Sequence, residues 1–485
     1  MPPLHVVMNL LTLLVLLLIS LIGFRMLSYW SSFLFASQRY RVRDTVSTTE
    51  LRELTVPFVK VQVTTRGSAG SSEVMMRGVR NLVLLAAEDP EFYGSFLSVE
   101  VVTESQEQAE LLEERFATSS ISVSGLVLPP DYATPHGTQL KARGLHYAVE
   151  RRRQGWNAKP GRTFIVHYDE ESVLVPEEMR KLIAQLAKTD KKVLEGPIYY
   201  PLEYRDAAAL CRSMEANRPV GCFECRRVME KGLPLHLHGS NLVVDEEFEN
   251  ELGWDIGCLD GQPLIAEDYV FGMSAFTRAG SEVFGWHGVV MLEQPPFSVK
   301  STFKQRHRWI FGVLQGMEIN RRLPAFKRLA WVTRQRIAWG TRYRIATFAL
   351  GVVAGGISML LLPYYALLNI QALRAGRELT LPWSVNLWLA VVGALWLGSV
   401  LIGAWCNVSD AGLHKSERVT EVARAVLLAP IAGLIESSAA LWAVAEWATG
   451  RRAVFWQPTP KTKAADRDAV WAATDSPVQL APTAH

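Results

Sequence analysis

Asp169, Glu170 and Glu171 stand together at the end of Phe164–Tyr168, a run of mostly β-favouring residues. A strand that stops on acids places them at the edge of a buried sheet, where carboxylates become accessible. Alternate residues of an extended chain share a face, so Asp169 and Glu171 project together while Glu170 projects the other way. Two hard oxygen ligands on one side suit Mg²⁺ or Mn²⁺ carrying a substrate diphosphate, because such ions keep waters and take only one or two protein carboxylates. Standing alone, the same triplet reads more simply as a solvated acidic turn that caps the next helix.

Other residues point the same way. Lys141 lies one turn into a helix opened by Pro135-His136-Gly137-Thr138, and a helix N-terminus with a cation anchors a diphosphate well. By itself it is a solvated helix lysine. Gly239-Ser240-Asn241 forms a turn before the apolar run Leu242–Val244. Glu267 and Asp268 precede an apolar helix, where Asp268 is either a cap or a base projecting into a cleft. Phe303 to Trp309 begins an amphipathic, aromatic helix that contains Gln305, Arg308 and Trp309 and also suits an interfacial anchor. Cys222 and Cys225, with His236 and His238 beyond them, invite a zinc reading. Their spacing fits no common zinc module, and the segment reads as a helix leading into a loop.

The elements that must hold these residues alternate. Val56–Thr65, Ser95–Thr103, Ile121–Leu128 and Thr163–Tyr168 read as strands, and 72–87, 105–116 and Gly137–Arg153 as helices between them. This alternation predicts an α/β fold with a parallel sheet covered on both faces. Ligands bind such sheets beyond the carboxyl ends of strands, where Thr65, Glu104 and Asp169 stand.

The 485 residues have room for two or three domains, and a net charge of +3 with 20% charged residues gives no argument for nucleic acid. The 49% of hydrophobic residues are unevenly placed. Residues 4–24 are uncharged and long enough to cross a hydrocarbon core of about 30 Å, and no small-residue cleavage site follows, which predicts an anchor. Residues 26–36 extend it at the interface. Further apolar segments lie at about 345–370, 383–405 and 422–447. Basic residues after the first span (Arg25, Arg39, Arg41, Arg43) and before the second (Arg321 to Arg344) predict an integral protein of the inner or plasma membrane, with its 25–344 region cytoplasmic. Five cysteines in such a region are expected to be reduced. Pro430 and Glu436 predict that the last segment is re-entrant, interfacial or a broken hairpin, which returns the basic tail to the same side. The domains are then 1–36 (anchor and extension), 50–300 (the α/β domain), 301–343 (amphipathic helices), 344–450 (transmembrane region) and 451–485 (polar tail).

These signals, in this order, resemble the membrane-embedded family 2 glycosyltransferases over about residues 55–315. Asp169-Glu170-Glu171 is similar to that family's DxD metal motif, Glu267-Asp268 to its ED motif, and Gln305, Arg308 and Trp309 to its QxxRW motif. Val63–Gly67, Val99–Glu104 and His167–Glu171 most resemble the egghead-type β-1,4-mannosyltransferases. Trp456 to Lys461 resembles, more loosely, a tail segment that closes over the nucleotide in related synthases.

The resemblance implies a GT-A, Rossmann-like nucleotide-sugar domain. Thr65, Arg66 and Glu104 would hold the nucleoside, and Glu104 departs from the Asp usual there. Lys141 and Mg²⁺ or Mn²⁺ on Asp169 and Glu171 would hold the diphosphate, with Gly239 at the same site. Asp268, beside Glu267, would be the base, Arg308 would meet the leaving-group charge, and Gln305 and Trp309 would shape the acceptor end. The implied reaction is inverting transfer from GDP-mannose or a UDP-sugar to a lipid-linked or glycan acceptor among membrane lipids. A processive synthase and a nucleotide-binding membrane protein without chemistry are the alternatives. The second has no use for an intact base.

Overall fold

The computed structural model describes residues 4–231, 233, 235, 237–378, 380–452 and 459–463. Alternating valines drive the centre of the sheet: Val61 lies opposite Val99 on one neighbour and Val166 on the other, all three fully buried. Seven strands pair there among the described residues: β1 (Phe58–Thr64), β2 (Leu97–Thr103), β3 (Ser122–Val127), β4 (Thr163–Tyr168), β5 (Val193–Glu195), β6 (Leu242–Asp245) and β7 (Phe284–Trp286). Their order is β7-β5-β6-β4-β1-β2-β3. The polar residues that β1 buries are paired, Lys60 with Glu246 at 3.1 Å and Gln62 with Glu100 at 2.8 Å, so both faces can be covered.

The architecture is mixed α/β, and one strand departs from the expected parallel sheet. β6 runs antiparallel to both β4 and β5. The chain re-enters beside the end of β4, where the Asn241 amide donates to the His167 carbonyl at 3.1 Å, and a strand that starts there must run backwards. That reversal carries Gly239 and Ser240 to the same edge as Asp169.

The helices that matter here are α1 (Leu4–Tyr40), α2 (Leu140–Arg153), α3 (Arg218–Lys231), α4 (Glu267–Ala279), α5 (Val299–Arg322), α6 (Pro324–Arg328), α7 (Trp331–Ala349), α8 (Gly351–Arg374), α9 (Trp383–Ser409) and α10 (Lys415–Ala448). Among the described residues, four stretches are long and apolar enough to cross a membrane: Asn9–Leu34, Trp331–Arg374, Trp383–Ser409 and Lys415–Ala448.

Three expectations change. Residues 26–36 are not a separate extension but part of α1, which stays against α9 through Trp30 Nε1 on the Leu395 carbonyl (3.0 Å) and Trp388 Nε1 on Ser20 Oγ (2.9 Å). The last apolar segment is one unbroken helix through Pro430, and Glu436 is tied to the buried Arg306 Nε at 2.9 Å and the half-buried Arg218 Nη2 at 3.2 Å. The helix carrying Lys141 starts at Leu140 rather than Gly137, because Thr134, His136 and Thr138 turn around Asp255 instead.

Candidate functional site

Each chemical group arrives at the carboxyl edge of the sheet by a local cause. At the end of β1 the Thr65 hydroxyl donates to Glu170 at 2.6 Å, and the Arg66 amide reaches the same oxygen at 3.3 Å. Gly67 follows with φ 75°, and a Cβ there would stand 2.4 Å from Ser105 Cβ, so the turn needs glycine. At the end of β4 the chain turns at once: the Asp169 amide donates to Ser172 Oγ at 3.0 Å and the Ser172 amide to the Asp169 carbonyl at 3.0 Å. Glu170 bonds different partners from Asp169 and Glu171, but all three line one cavity and a turn, not strand alternation, arranges them. Asp255 accepts from the hydroxyls of Thr134 (2.8 Å) and Thr138 (2.7 Å) and so holds the loop that delivers Lys141.

Lys141 Nζ sits 2.5 Å from Asp169 Oδ1, 2.8 Å from the Gly239 carbonyl and 3.9 Å from Glu267 Oε1. Burial works against its charge, but Asp169 and Glu267 outweigh it and hold the ammonium above its ordinary pKa. Burial likewise opposes ionisation of Asp169, yet Lys141 and Lys461 keep its pKa low. Asp268 is pushed up to about 8, first by burial and then by the neighbouring Glu267. Its Oδ1 accepts from the Tyr269 amide at 2.7 Å, and its Oδ2 lies 3.7 Å from where a Cβ on Gly239 would stand. A side chain there would crowd Lys141 and Asp268 together.

The amphipathic stretch is more than a surface anchor. α5 presses on the start of α4 through Gly312 and Gly316: a Cβ on Gly312 would meet Ala266 Cβ at 2.9 Å, and one on Gly316 would meet Tyr269 Cδ1 at 2.5 Å. Its fully buried Arg306 bonds Glu215, Glu436 and Gln305 Oε1 (2.6 Å). The guanidiniums of Arg306 and Arg218 lie over the Trp309 ring at 4.3 and 4.6 Å. Arg308 Nη2 reaches Thr459 Oγ1 at 3.4 Å, Lys461 bonds Glu171, and the Lys461 carbonyl accepts from Gln294 at 2.9 Å. Residues 459–461 therefore cover the acidic edge. Trp456 lies outside the described residues.

Every predicted site residue lines one cavity of about 1510 Å³: Thr65, Arg66, Glu104, Lys141, Asp169, Glu171, Gly239, Glu267, Asp268, Gln305, Arg308 and Trp309. The cavity continues between α1, α8, α9 and α10, past Met26, Gly355, Val392 and Gly433. Glu104 is at the rim, paired with Arg143 at 3.2 Å and Arg66 at 3.9 Å. Sequence reasoning missed Glu293, which accepts from Ser240 Oγ at 2.5 Å and from Ser172 Oγ at 3.2 Å. Burial, then Glu171 and Asp169, push it up to about 8. Met291-Leu292-Glu293 is another short strand ending on an acid, so the reasoning applied to Asp169 was available for it. The arginine network of Arg306, Glu215 and Glu436 left no such signal, because its members come from three distant segments.

Asp169 and Glu171 are a fitting pair for a hard divalent cation, since each is already held against a positive nitrogen. Among the described residues no group of three or more His, Cys, Asp or Glu can hold a metal ion, so a cation here would be completed by water or substrate oxygens. Cys222 and Cys225 are buried on α3, with Cys225 Sγ 3.5 Å from His238 Nε2. His236 lies outside the described residues.

Residues 164–402 match the family model described as glycosyl transferase family group 2. The match covers just under half of the chain. The matched segment contains Asp169, Glu171, Gly239, Glu267, Asp268 and Arg308. The chain is 28% identical over 264 residues to beta-1,4-mannosyltransferase egh of Drosophila melanogaster, covering 54% of this chain and 53% of that protein. It is 27% identical over 220 residues to beta-1,4-mannosyltransferase bre-3 of Caenorhabditis elegans, covering 44% of this chain and 46% of that one. The matches thus span about half the length of these relatives. Among solved structures, mannosyltransferase PcManGT from Pyrobaculum calidifontis, in complex with GDP-Man and Mn²⁺, aligns with a TM-score of 0.41 at 15% identity, covering 82% of this chain and 98% of that one.

Proposed function

We propose that this protein is an inverting glycosyltransferase that moves a hexose, mannose from GDP-mannose before a UDP-sugar, onto a membrane-associated acceptor to form a β-linkage. The single observation that carries this reading is the cavity itself. It joins a buried base-like carboxylate, Asp268, to a cation-and-acid pair, Lys141 and Asp169, and continues between apolar helices. The mannosyl donor is supported by the two mannosyltransferase relatives.

In this mechanism Asp268 takes the proton from the acceptor hydroxyl, which attacks the anomeric carbon opposite the nucleotide. Thr65, Arg66 and Glu104 hold the nucleoside. Lys141 and Arg308 meet the charge that develops on the leaving diphosphate, where positioned charges in a dry site contribute most. Mg²⁺ or Mn²⁺, held by Asp169 and Glu171, supplies further neutralisation of that diphosphate when bound. Glu267 raises the basicity of Asp268, and Gln305 and Trp309 shape the acceptor end. Lys461, which bonds Glu171 in the free protein, would exchange that carboxylate for the phosphates with a cation bound. The catalytic domain is cytoplasmic in this reading, and the apolar helices embed the protein in the membrane.

The test is transfer by protein purified in detergent, with Mn²⁺ or Mg²⁺, across GDP-mannose, UDP-glucose and UDP-N-acetylglucosamine, followed by product sizing. The expected result is turnover of GDP-mannose to a product one sugar longer. A long polymer made from a UDP-sugar refutes the donor and single-transfer readings, and absence of turnover with every donor and acceptor refutes the enzyme.

A further inference from the structure

Most arginines of the described chain sit against a carboxylate, and one group does not. Arg321, Lys327, Arg334 and Arg342 line a second cavity of about 530 Å³ between the end of α5, α6 and the first turns of α7, together with Phe326 and Trp331. None of the four pairs with an acid among the described residues. The acids nearby are taken: Arg322, next to Arg321, holds Asp260 at 2.7 Å and Glu318 at 3.4 Å. Arg334 Nε is buried without a hydrogen-bond partner, which costs free energy unless an acceptor enters the cavity. Four cations walling one concavity repel each other, so the site calls for an anion with several acceptor oxygens. Guanidinium groups fit a phosphate especially well, through paired N–H donors.

The position of the cavity selects the source of that phosphate. Trp331 is both a wall residue and the first residue of the apolar stretch Trp331–Arg374. Trp331 and Trp339 are 65% and 64% exposed, and Arg342 lies 5.7 Å from the Trp339 ring centroid. Exposed tryptophans beside arginines at the start of an apolar helix belong at headgroup depth. We infer that this cavity binds the phosphate of one anionic phospholipid headgroup. It is separate from the acidic cavity, so the inference stands whatever the donor proves to be. A lipid held between α5 and α7 also braces α5, whose other face presses on the turn that carries Asp268.

The experiment uses the full chain in detergent and measures binding of dioctanoyl phosphatidylglycerol by native mass spectrometry and titration. One saturable equivalent is expected, with dioctanoyl phosphatidylcholine binding far more weakly. Arg334→Gln/Arg342→Gln should weaken binding about twenty-five-fold, at roughly fivefold per cation. Arg328→Gln/Arg336→Gln, basic residues that do not line the cavity, should change it by less than about threefold, since charges without direct contact to the phosphate act only through screening solvent. Should the first pair lower the melting temperature, Arg321→Gln/Lys327→Gln on the opposite wall carries the same expectation. Equal losses in the control pair, or equal binding of the zwitterionic lipid, overturn the site. Displacement of the lipid by inorganic phosphate at matched concentration overturns the assignment to a headgroup.

Discussion

Replacing Asp268 with Asn separates chemistry from binding with little change of shape. The amide keeps an oxygen that can accept from the Tyr269 amide, now at 2.7 Å, so that donor stays satisfied. Lys141 contacts Asp169, Gly239 and Glu267, not Asp268, so the diphosphate end keeps its cation. The variant should therefore bind donor within about threefold of the parent. General-base help contributes about 10² to 10⁴ in rate, and kcat should fall by that factor, about 3 to 5 kcal/mol of barrier.

The pH profile gives a second, independent reading of the same residue. Burial and Glu267 hold the free-enzyme Asp268 at about 8, so only about a tenth of it is ionised at pH 7. The base works ionised, so kcat/KM should rise with pH and level off above that value. Asp268→Asn should remove this limb, and Glu267→Gln should move it to lower pH by deleting the neighbouring charge. The assay is initial-rate transfer from pH 5.5 to 9.5, with donor affinity measured separately by calorimetry. A variant with more than a third of the parent kcat, or an unchanged limb in Asp268→Asn, would refute the base assignment.

Two further substitutions test the surroundings. Lys461→Met removes the ammonium that bonds Glu171, so nucleotide-free protein should bind Mn²⁺ several-fold more tightly by electron paramagnetic resonance titration, while turnover drops; unchanged Mn²⁺ affinity contradicts the exchange of Lys461 for a cation. Arg306→Met leaves buried Glu215 and Glu436 with Arg218 alone, at 3.5 and 3.2 Å, and should cost about 3 kcal/mol, seen as a lower melting temperature in detergent; a melting temperature within 1 °C of the parent (about the assay precision) shows that the network is not what joins α5 to α10.

Strands near the site were legible because their residues follow simple period and burial rules. Thr163–Tyr168 coincides with its expected bounds, and the valines of β1 and β2 alternate in register. The second strand starts later than expected, at Leu97, because Pro90–Phe96 forms a short helix capped by Asp89. Its cap, with proline at the first turn, was present in the sequence and outweighs the β preference of Phe96. The antiparallel course of β6 was not legible, since nothing in Leu242–Asp245 encodes direction; pairing of Asn241 with the end of β4 decides it. Pro430 and Glu436 argued for a broken helix on local rules, but the helix runs through both, and Glu436 is paired by Arg306 and Arg218 reaching in from elsewhere.

The sequence by itself determined which residue types carry the chemistry and on which elements they stand: acids ending a strand, a lysine at a helix start, an Asp opening α4 and the arginine-tryptophan stretch of α5. It did so because chemical identity, strand period and helix capping are local properties. Only the tertiary structure decided which of them face one another. Lys141 meets Asp169 across 28 positions of chain, and Lys461 meets Glu171 across 290, and no local rule reaches that far. The high pKa of Asp268 is likewise a tertiary property, because burial beneath the turn at Gly239 and the closeness of Glu267 exist only once the chain has folded.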